Sequence, residues 1–332
     1  MLKKPRILVA GSFVMDLIAS TRRAPQSGQT VVGLSFRTAP GGKGANQAVQ
    51  CARLGADVTM IGCVGDDLFG RELLTVAGSD GVDVSHVKVD PTVCTGVGHV
   101  LLEVTEHGAQ NRITVIPGAN FAITPADVAW LESEIGSYDM VLLQLELTME
   151  VTTRIAAWAH AAGVPVMLNP APAVPLPDGL LPHVTFLTPN EQEAAAMTGL
   201  PLRMEEAGVN EEDMKQTAAA LREKGVENII ITLGGHGSAV VEPEGARYVP
   251  CVRMPHVADP TAAGDSFVGA FCTGLTAGLT QEQALTFASH AAAITVSRMG
   301  AIPSLPTLEE VRALLTERDC RSFDLRELDA LN

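Results

Sequence analysis

A run of small residues that ends in an acid is the segment of this chain best suited to chemistry. It spans Asp259–Asp265, includes Ala262, Ala263 and Gly264, and leads directly into an apolar helical pattern. The first N–H groups of a helix lack partners and the helix dipole is positive there, so helix N-termini attract anions. A carboxylate such as Asp265 beside an anion site can take a proton from a hydroxyl that attacks a phosphate. Taken alone, however, the segment is more typical of an acid in the first turn of an ordinary helix.

A second conspicuous segment is the glycine-rich turn Gly41–Gln47, which precedes a predicted helix. It is not a P-loop, because Lys43 is not followed by Ser or Thr, and it is not a dinucleotide motif, because Gln47 stands where the last glycine is needed. Glycines such as Gly42 let a ligand approach the backbone, and Lys43 and Asn46 can donate hydrogen bonds to hydroxyl oxygens. The turn suits a sugar or another polyol, with a plain tight turn as the alternative.

Further polar residues follow predicted strands. Asp16 and Glu146 are lone acids at the carboxyl ends of strands, where open α/β sheets bind ligands, although such acids are often only solvated or capping. Asn190 and Glu193 are three residues apart at a helix start, a spacing that suits either Mg²⁺ bound through water or a capping box. The turn Thr232–Ser238 is a weak signal for a nucleotide pocket lined by backbone.

Composition narrows the function classes. The chain has 332 residues, 46% of them hydrophobic, which is enough for a large core. Its net charge of −15 disfavours nucleic acid and anionic membranes as partners. The six cysteines are scattered without a CxxC pair, which indicates reduced thiols and a cytoplasmic protein. The eight histidines form no metal-binding pattern, and no apolar stretch reaches transmembrane length.

Strand-length apolar runs alternate with helical patterns, which predicts a mostly parallel sheet covered by helices on both faces. The predicted strands are Ile7–Gly11, Val58–Val64, Met140–Leu145, Val164–Asn169, Phe186–Pro189 and Asn228–Leu233. The predicted helices are Ala45–Leu54, Val151–Ala162, Glu191–Thr198 and Glu212–Lys224.

Three early segments fit a different pattern. Residues at about 13–20, 30–40 and 92–116 are predicted as lid strands, and the last two alternate apolar and polar side chains, as half-exposed antiparallel strands do. They would form a small extra sheet over the ligand crevice, with an apolar face that could pair with a second subunit. We expect one domain over residues 1–318 and a charged, peripheral tail over 319–332.

Taken together, the motifs resemble those of the ribokinase-like sugar kinases of the PfkB family, in the same order over nearly the whole chain. Gly41–Gln47 is similar to the family's sugar-binding GGKGANQ, and Asn169–Ala173 to its NPAPA segment. Asn190–Glu193 resembles its NxxE magnesium motif, and Asp259–Asp265 its DTxxAGD signature. The resemblance implies a three-layer α/β/α sandwich with a β-sheet lid. It also implies an ATP-dependent phosphotransferase that acts on the 5-hydroxyl of a pentose, with D-ribose as the closest match.

The resemblance also implies roles for the matching residues. Asp265 would be the base, and the N–H groups of Ala263, Gly264 and Asp265, after Ala262, would form an anion hole. The sugar would lie against Asp16, Gly42, Lys43, Asn46 and Glu146. ATP would lie along Asn190, Thr232, Gly234, Gly237, Gly264 and Ser289. Mg²⁺ would be held through water by Glu193 and Asn190. A monovalent cation, K⁺, would be held by Asp259, Thr261, Thr295, Gly300 and Ser304. The lid sheet would join two subunits in a homodimer.

Three positions depart from the family pattern. Val14 stands where an Asn contacts a secondary hydroxyl of ribose, and an unpaired buried hydroxyl costs roughly 1–3 kcal/mol. An apolar residue there resembles the deoxyribokinases, so 2-deoxyribose is the alternative substrate. Pro260 replaces a Thr beside the cation site, and Ser289, followed by His290, stands where the family has a His near adenine.

Other functions remain as alternatives. A nucleoside or ketohexose substrate fits the GGKGANQ form of the glycine-rich turn less well. A non-catalytic sugar sensor would not need Asp265, and the sequence contains no DNA-binding segment or basic patch.

Overall fold

A computed structural model of the chain describes residues 2–105, 108–205, 208–242 and 245–332. Its strands are β1 (Arg6–Ala10), β2 (Val14–Thr21), β3 (Ser35–Gly41), β4 (Asp57–Gly65), β5 (Val82–Asp83), β6 (Val87–Asp90), β7 (Gly96–Thr105), β8 (Gly108–Ile116), β9 (Met140–Leu143), β10 (Val166–Leu168), β11 (Phe186–Leu187), β12 (Met204–Glu205), β13 (Gly208–Val209), β14 (Asn228–Thr232), β15 (Ser238–Glu242) and β16 (Gly245–Val249). Its helices are α1 (Lys43–Arg53), α2 (Leu68–Ser79), α3 (Leu131–Glu134), α4 (Met149–Ala161), α5 (Glu191–Thr198), α6 (Glu211–Glu223), α7 (Ala263–Ala277), α8 (Gln281–Val296) and α9 (Leu308–Glu317).

The main sheet has the strand order β16-β15-β14-β11-β10-β9-β1-β4-β5, and β6 also pairs with β4. The strands from β14 to β4 run parallel, whereas β15 and β16 add an antiparallel edge. Connections through helices are what parallel neighbours require. The predicted fold class is therefore confirmed, and the predicted helix Glu191–Thr198 has the same bounds as α5.

Strand β1 illustrates how the three layers pack. Successive side chains of a strand point to opposite faces of its sheet. Ile7 and Val9 belong to the apolar cluster that includes side chains of α1, α2 and α7–α9, whereas Leu8 and Ala10 belong to the cluster that includes side chains of α3–α6. All four side chains are buried, as expected for a strand covered on both faces. No helix among the described residues is both long and apolar enough to cross a membrane.

The lid is a separate four-stranded sheet in the order β3-β2-β7-β8. Two of its three pairings are antiparallel as predicted, but β2 and β7 run parallel. The difference arises because β2 continues from the carboxyl end of β1 and β7 follows β6, so both strands leave the same edge of the main sheet. The first strand within the predicted segment 30–40 begins only at Ser35, and the first within 92–116 begins only at Gly96, with β8 following from Gly108. Positions 106–107 of the latter lie outside the described residues.

The tail departs from its expected peripheral position in its last turn. A 3₁₀ helix over Leu325–Leu331 buries Leu328 and Leu331 in the core. The carbonyl oxygen of Leu331 packs so closely on Gly55 that a Cβ there would lie 2.0 Å from it. Charge dominates the composition of the tail, but two leucines determine where it packs.

One buried amide side chain links two backbone segments at the base of the lid. Asn120, which is 1% exposed, accepts a hydrogen bond from the Phe13 N–H (2.9 Å) and donates to the carbonyls of Phe13 (2.8 Å) and Pro117 (2.9 Å). Phe13 lies between β1 and β2, and Pro117 directly follows β8. Asn120 therefore joins two of the places where the chain enters or leaves the lid, the segment before β2 and the segment after β8.

Replacement of Asn120 by alanine should lower the free energy of unfolding by about 3 kcal/mol, because buried backbone groups of Phe13 and Pro117 lose their partner. Urea unfolding followed by circular dichroism measures this loss. Asn111, an exposed residue of β8, provides the control, and Asn111→Ala should change stability by no more than about 0.5 kcal/mol. Equal effects of the two substitutions would contradict the role given to Asn120.

Candidate active site

Asp265 lies where the N-termini of α1 and α7 meet, and it is only 6% exposed. The Asn46 side-chain amide donates to its Oδ2 (2.8 Å), and the Gln47 amide donates to its Oδ1 (3.0 Å). The fold thus brings the acid of the small-residue run and the glycine-rich turn into direct contact. Both carboxylate oxygens are held by uncharged donors, which suits a group that must be ionised and fixed in direction.

The glycine-rich turn is pressed against the start of the lid. Gly42 has φ of 99°, and a Cβ there would lie 2.7 Å from the Val14 nitrogen and 2.8 Å from the Ser12 carbonyl oxygen. Only glycine meets both demands. Glu146, which follows β9, accepts a hydrogen bond from the Lys43 N–H (3.1 Å) and another from the Ser12 hydroxyl. Two predicted sugar ligands, Lys43 and Glu146, are therefore neighbours.

Asp16 approaches the same crevice from the lid. It lies on β2 opposite Gly98 of β7. A Cβ on Gly98 would lie 2.0 Å from the Asp16 Oδ1, so the residue opposite Asp16 has to lack a side chain. Burial, together with the nearby charge of Glu146, raises the pKa of Asp16 to about 6. Val14 is on the same face of β2, two residues earlier, and is buried. The lid thus presents one acid and one apolar side chain to the crevice.

The residues of the expected anion hole lie at the start of α7. Ala262 has a left-handed backbone (φ 60°), which is costly for a residue with a Cβ and tends to occur at functional sites. The Ala263 N–H already donates to the Pro260 carbonyl (3.2 Å). The N–H groups of Gly264 and Asp265 have no acceptor among the described residues, and a Cβ on Gly264 would meet nothing within 4 Å. Two of the three predicted donors are therefore open to a ligand.

Four of the predicted nucleotide residues lie in two neighbouring loops. Asn190 and Thr232 pair as an isolated parallel bridge, which joins the loop after β11 to the end of β14. Gly234 (φ 51°) and Gly237 (φ 94°) form the turn after β14, where a Cβ on Gly237 would lie 2.1 Å from the Val249 carbonyl oxygen. Ser289 belongs to neither loop. It lies in α8, where its hydroxyl donates to the Leu285 carbonyl (2.8 Å).

Asn190 and Glu193 form the capping box that their spacing allows. The Asn190 Oδ1 accepts from the Glu193 N–H (2.8 Å), and the Glu193 carboxylate accepts from the Asn190 N–H (2.9 Å). Burial raises the pKa of Glu193. Among the described residues no group of three or more His, Cys, Asp or Glu side chains could hold a metal ion. The protein side of any magnesium site here is therefore sparse.

Lys43 is surrounded by acids. Burial alone would lower the pKa of Lys43, but the carboxylates of Asp265, Glu146 and Glu193 raise it above its usual value. Lys43 therefore carries its charge at neutral pH and offsets part of the negative charge in the crevice.

Three of the predicted cation residues are joined through Asp259. Its carboxylate accepts hydrogen bonds from the N–H groups of Thr261 (3.0 Å) and Gly300 (3.0 Å), which ties the segment before α7 to the one after α8. Burial would raise the pKa of Asp259, but these bonds and the charge of Arg37 hold it below its usual value. The Thr295 carbonyl accepts from the Arg298 N–H (3.1 Å), and the Ser304 hydroxyl donates to the Ala301 carbonyl (2.7 Å).

Sequence reasoning missed the amides behind Asp265. Gln47 also donates to the Asn169 Oδ1 (3.2 Å) and accepts from the Gln144 amide (2.6 Å). Gln144 lies just past β9 and is 1% exposed. An amide inside an otherwise apolar run is an unusual choice for a buried strand end, and that was the available signal.

The chain is similar to carbohydrate kinases over nearly its whole length. Residues 4–308 match the model of the pfkB family carbohydrate kinases. Ribokinase of Schizosaccharomyces pombe is 39% identical over 312 residues, which cover 92% of this chain and 96% of that protein. Deoxyribokinase of Salmonella typhimurium is 32% identical over 311 residues, which cover 93% and 98%. The structure of Arabidopsis thaliana ribokinase complexed with ribose and ATP superposes with a TM-score of 0.85 at 31% identity, covering 94% of this chain and 99% of that one.

The raised pKa of Asp16 predicts a pH-dependent contribution to stability. Because the folded pKa of about 6 exceeds the ordinary aspartate pKa of 3.8, protonation of Asp16 favours the folded state as pH falls from above 6 toward 4. This contribution is lost as pH rises through 6. Asp16→Asn should therefore gain stability relative to wild type at pH 8 compared with pH 5. Urea unfolding at both pH values measures the difference, and Asp178→Asn, at a position far from the lid, is the control. A pH-independent difference would contradict the assignment.

Proposed function

This chain belongs to the pfkB family of carbohydrate kinases, and from that premise we propose that it transfers the γ-phosphoryl group of ATP to the 5-hydroxyl of D-ribose. The observation that carries the proposal is the buried carboxylate of Asp265 at the N-terminus of α7, held by Asn46 and Gln47 of the glycine-rich turn. Base, anion hole and polyol turn therefore share one crevice. The 39% identity to a ribokinase supports ribose as the sugar.

The transfer needs little covalent chemistry from the protein. Asp265 takes the proton of the 5-hydroxyl while that oxygen bonds to the γ-phosphorus. The bond from the γ-phosphorus to the β,γ-bridging oxygen breaks, and ADP leaves with that oxygen. The open N–H groups of Gly264 and Asp265 stabilise the charge that develops on the transferred group. One well-placed donor of this kind contributes roughly 3–4 kcal/mol.

The sugar is held by polar groups of both the lid and the main domain. Asp16 and Glu146 accept hydrogen bonds from hydroxyls, and Lys43 and Asn46 donate to them. The Oδ1 atom of Asn46 is buried and has no partner among the described residues, so it is available to a sugar hydroxyl. Gly42 lets the ring approach the backbone.

ATP is bound mainly by backbone in this proposal. Its phosphates lie toward Gly264 and along the turn of Gly234 and Gly237, between Asn190 and Thr232. Glu193 and Asn190 would hold Mg²⁺ through water, because direct ligation would break their capping box. A bound Mg²⁺ would offset phosphate charge that the four nearby acids repel. The Ser289 hydroxyl already donates its proton within α8, so it could only accept a hydrogen bond from adenine.

A monovalent cation fits beside the anion hole. Asp259 supplies the charge, and the backbone of Thr261, Thr295 and Gly300 with the hydroxyl of Ser304 supplies neutral oxygens. K⁺ there would add positive charge near the developing phosphate. Pro260 lacks the hydroxyl of the Thr that the family has beside the cation site. The bonds of Asp259 to Thr261 and Gly300 are nevertheless in place.

Exposed apolar side chains of the lid support the proposal of a homodimer. Ile113 and Val115 are more than half exposed on one face of β8, which is unusual for large apolar side chains. A second copy of the lid would cover them. The six free thiols support a reducing, cytoplasmic compartment, and the charge of −15 argues against nucleic acid or membrane partners.

2-Deoxyribose is the second candidate substrate. Val14 is buried on the sugar-facing side of the lid and offers no hydrogen bond to a 2-hydroxyl. The lower identity to a deoxyribokinase, 32%, favours ribose. A catalytically silent sensor is disfavoured because the base and the open N–H groups are intact.

Asp265→Asn should keep ribose binding but lose turnover by about 10²–10⁴-fold, because the amide cannot accept the proton. Coupled measurement of ADP release gives kcat, and calorimetry gives ribose binding. Asp213→Asn is the matched control, since Asp213 is also buried but pairs with Arg203 in a structural contact (2.7 Å). That variant should lose stability and keep kcat. Near-normal kcat in Asp265→Asn would rule out Asp265 as the base.

Val14→Asn should shift the ratio of kcat/KM for ribose to that for 2-deoxyribose toward ribose by about tenfold, the equivalent of one buried hydrogen bond. The two sugars are compared side by side for wild type and variant. Val14→Leu keeps the site apolar and should leave the ratio within about threefold of wild type. An unchanged ratio in Val14→Asn would show that the sugar preference is set elsewhere.

A further inference from the structure

Gln47, near the start of α1, connects Asp265 at the start of α7 to two strand ends of the main sheet. Its amide nitrogen donates to the Asp265 Oδ1 (3.0 Å) and the Asn169 Oδ1 (3.2 Å), and its amide oxygen accepts from Gln144 (2.6 Å). Asn169 in turn donates to the Thr188 carbonyl (2.9 Å). The ends of β9, β10 and β11 are thus bonded through Gln47 to Asp265.

We propose that Gln47 is a positioning residue for the reaction: held by Gln144 and Asn169, it donates a hydrogen bond to the Asp265 carboxylate and fixes its direction. The inference rests on the proposed function, in which Asp265 is the base. A hydrogen bond donated to the charged form of an acid stabilises that form. Gln47 therefore acts through Asp265 and not through the sugar.

Gln47 differs from its neighbour Asn46 in this respect. The Asn46 Oδ1 has no partner among the described residues and can meet a ligand, whereas both polar atoms of Gln47 are committed to protein groups. Gln47 is also fully buried, at 0% exposure. One residue of the pair is open to the crevice and the other faces the interior.

The surrounding chain is shaped to admit this network. A Cβ at Gly11 would lie 2.1 Å from the Gln144 Oε1, so any other residue at the end of β1 would displace the Gln144 amide. Gly44 approaches the same point, since a Cβ there would lie 2.4 Å from the carbonyl carbon of Gly11. Both glycines are therefore required for Gln144 to reach Gln47, not only for the sugar turn.

Two charged groups act on Asp265 besides the amides. Lys43, at the start of α1, attracts the Asp265 carboxylate, and Glu193, at the start of α5, repels it. The remaining neighbours of Asp265 on α1, Asn46 and Gln47, are uncharged. Exchange of the Gln47 amide for a carboxylate would add a second negative group in direct contact with Asp265.

The test is the pH dependence of kcat for ribose phosphorylation. A base must be ionised, so activity falls as pH drops, and a less easily ionised base moves this acidic limb to higher pH. Gln47→Glu should move the limb upward by at least about one pH unit, and Gln47→Met by a smaller amount because it only removes a donor. KM for ribose should change less than about threefold in Gln47→Met, since Gln47 does not contact the sugar.

Gln50→Met is the matched control. Gln50 lies one turn further along α1, is equally buried and bonds to Ser266 (2.8 Å) and the Pro306 carbonyl (3.0 Å), not to Asp265. It should lose a comparable amount of stability in urea without moving the acidic limb. If Gln47→Glu fails to fold, Gln47→Met carries the test.

Each outcome decides between the two proposals. Wild-type protein without ribose phosphorylation would overturn the proposed function itself. Normal wild-type activity with an unmoved acidic limb in the Gln47 variants would overturn the role of Gln47 alone. Equal shifts in Gln47→Met and Gln50→Met would also overturn it, because they would reflect a general loosening of α1.

Discussion

Burial of one carboxylate determines how the central part of this molecule is arranged. A charge removed from water is costly unless it is hydrogen-bonded, and Asp265 is almost fully buried. The chain meets this cost by bringing the N-terminus of α7 against that of α1, where two amides reach both oxygens. Gly269 permits the close approach, because a Cβ there would lie 2.9 Å from the Gln50 Cβ. Both helix dipoles direct their positive ends toward the acid.

The same contact links the glycine-rich turn to the lid. Gly42 rests on the backbone of Ser12 and Val14, and Ser12 is bonded to Glu146, so the polyol turn and the start of β2 form one packed unit. Asn120 joins that unit to the point where the chain leaves β8. A sugar held against Gly42 and Glu146 would therefore contact the base of the lid directly, and Asp16 lies only two residues beyond Val14. The lid and the proposed sugar site therefore depend on the same packed residues.

Electrostatics explain why backbone groups carry so much of the proposed nucleotide site. The chain has a charge of −15, and four acids face the crevice, with Lys43 as the cation set among three of them. An anionic nucleotide is then best met by N–H groups at a helix start, which bring positive potential without another side chain. The open donors of Gly264 and Asp265 and the glycine turn after β14 supply such groups. Bound cations would offset the remaining repulsion.

The sequence by itself determined the three-layer fold and the residue types of the site, because alternating apolar runs and local motifs are properties of short segments. Local sequence patterns indicate Asp265, Asn46 and Glu146 as candidates without showing any contact between them. Tertiary structure alone decided which groups remain available. Ala263 is paired with Pro260, Ser289 with its own helix, and β2 runs parallel to β7. The amides of Gln47 and Gln144 became visible only in the fold, since a hydrogen bond between residues about a hundred positions apart leaves no periodic trace in the chain.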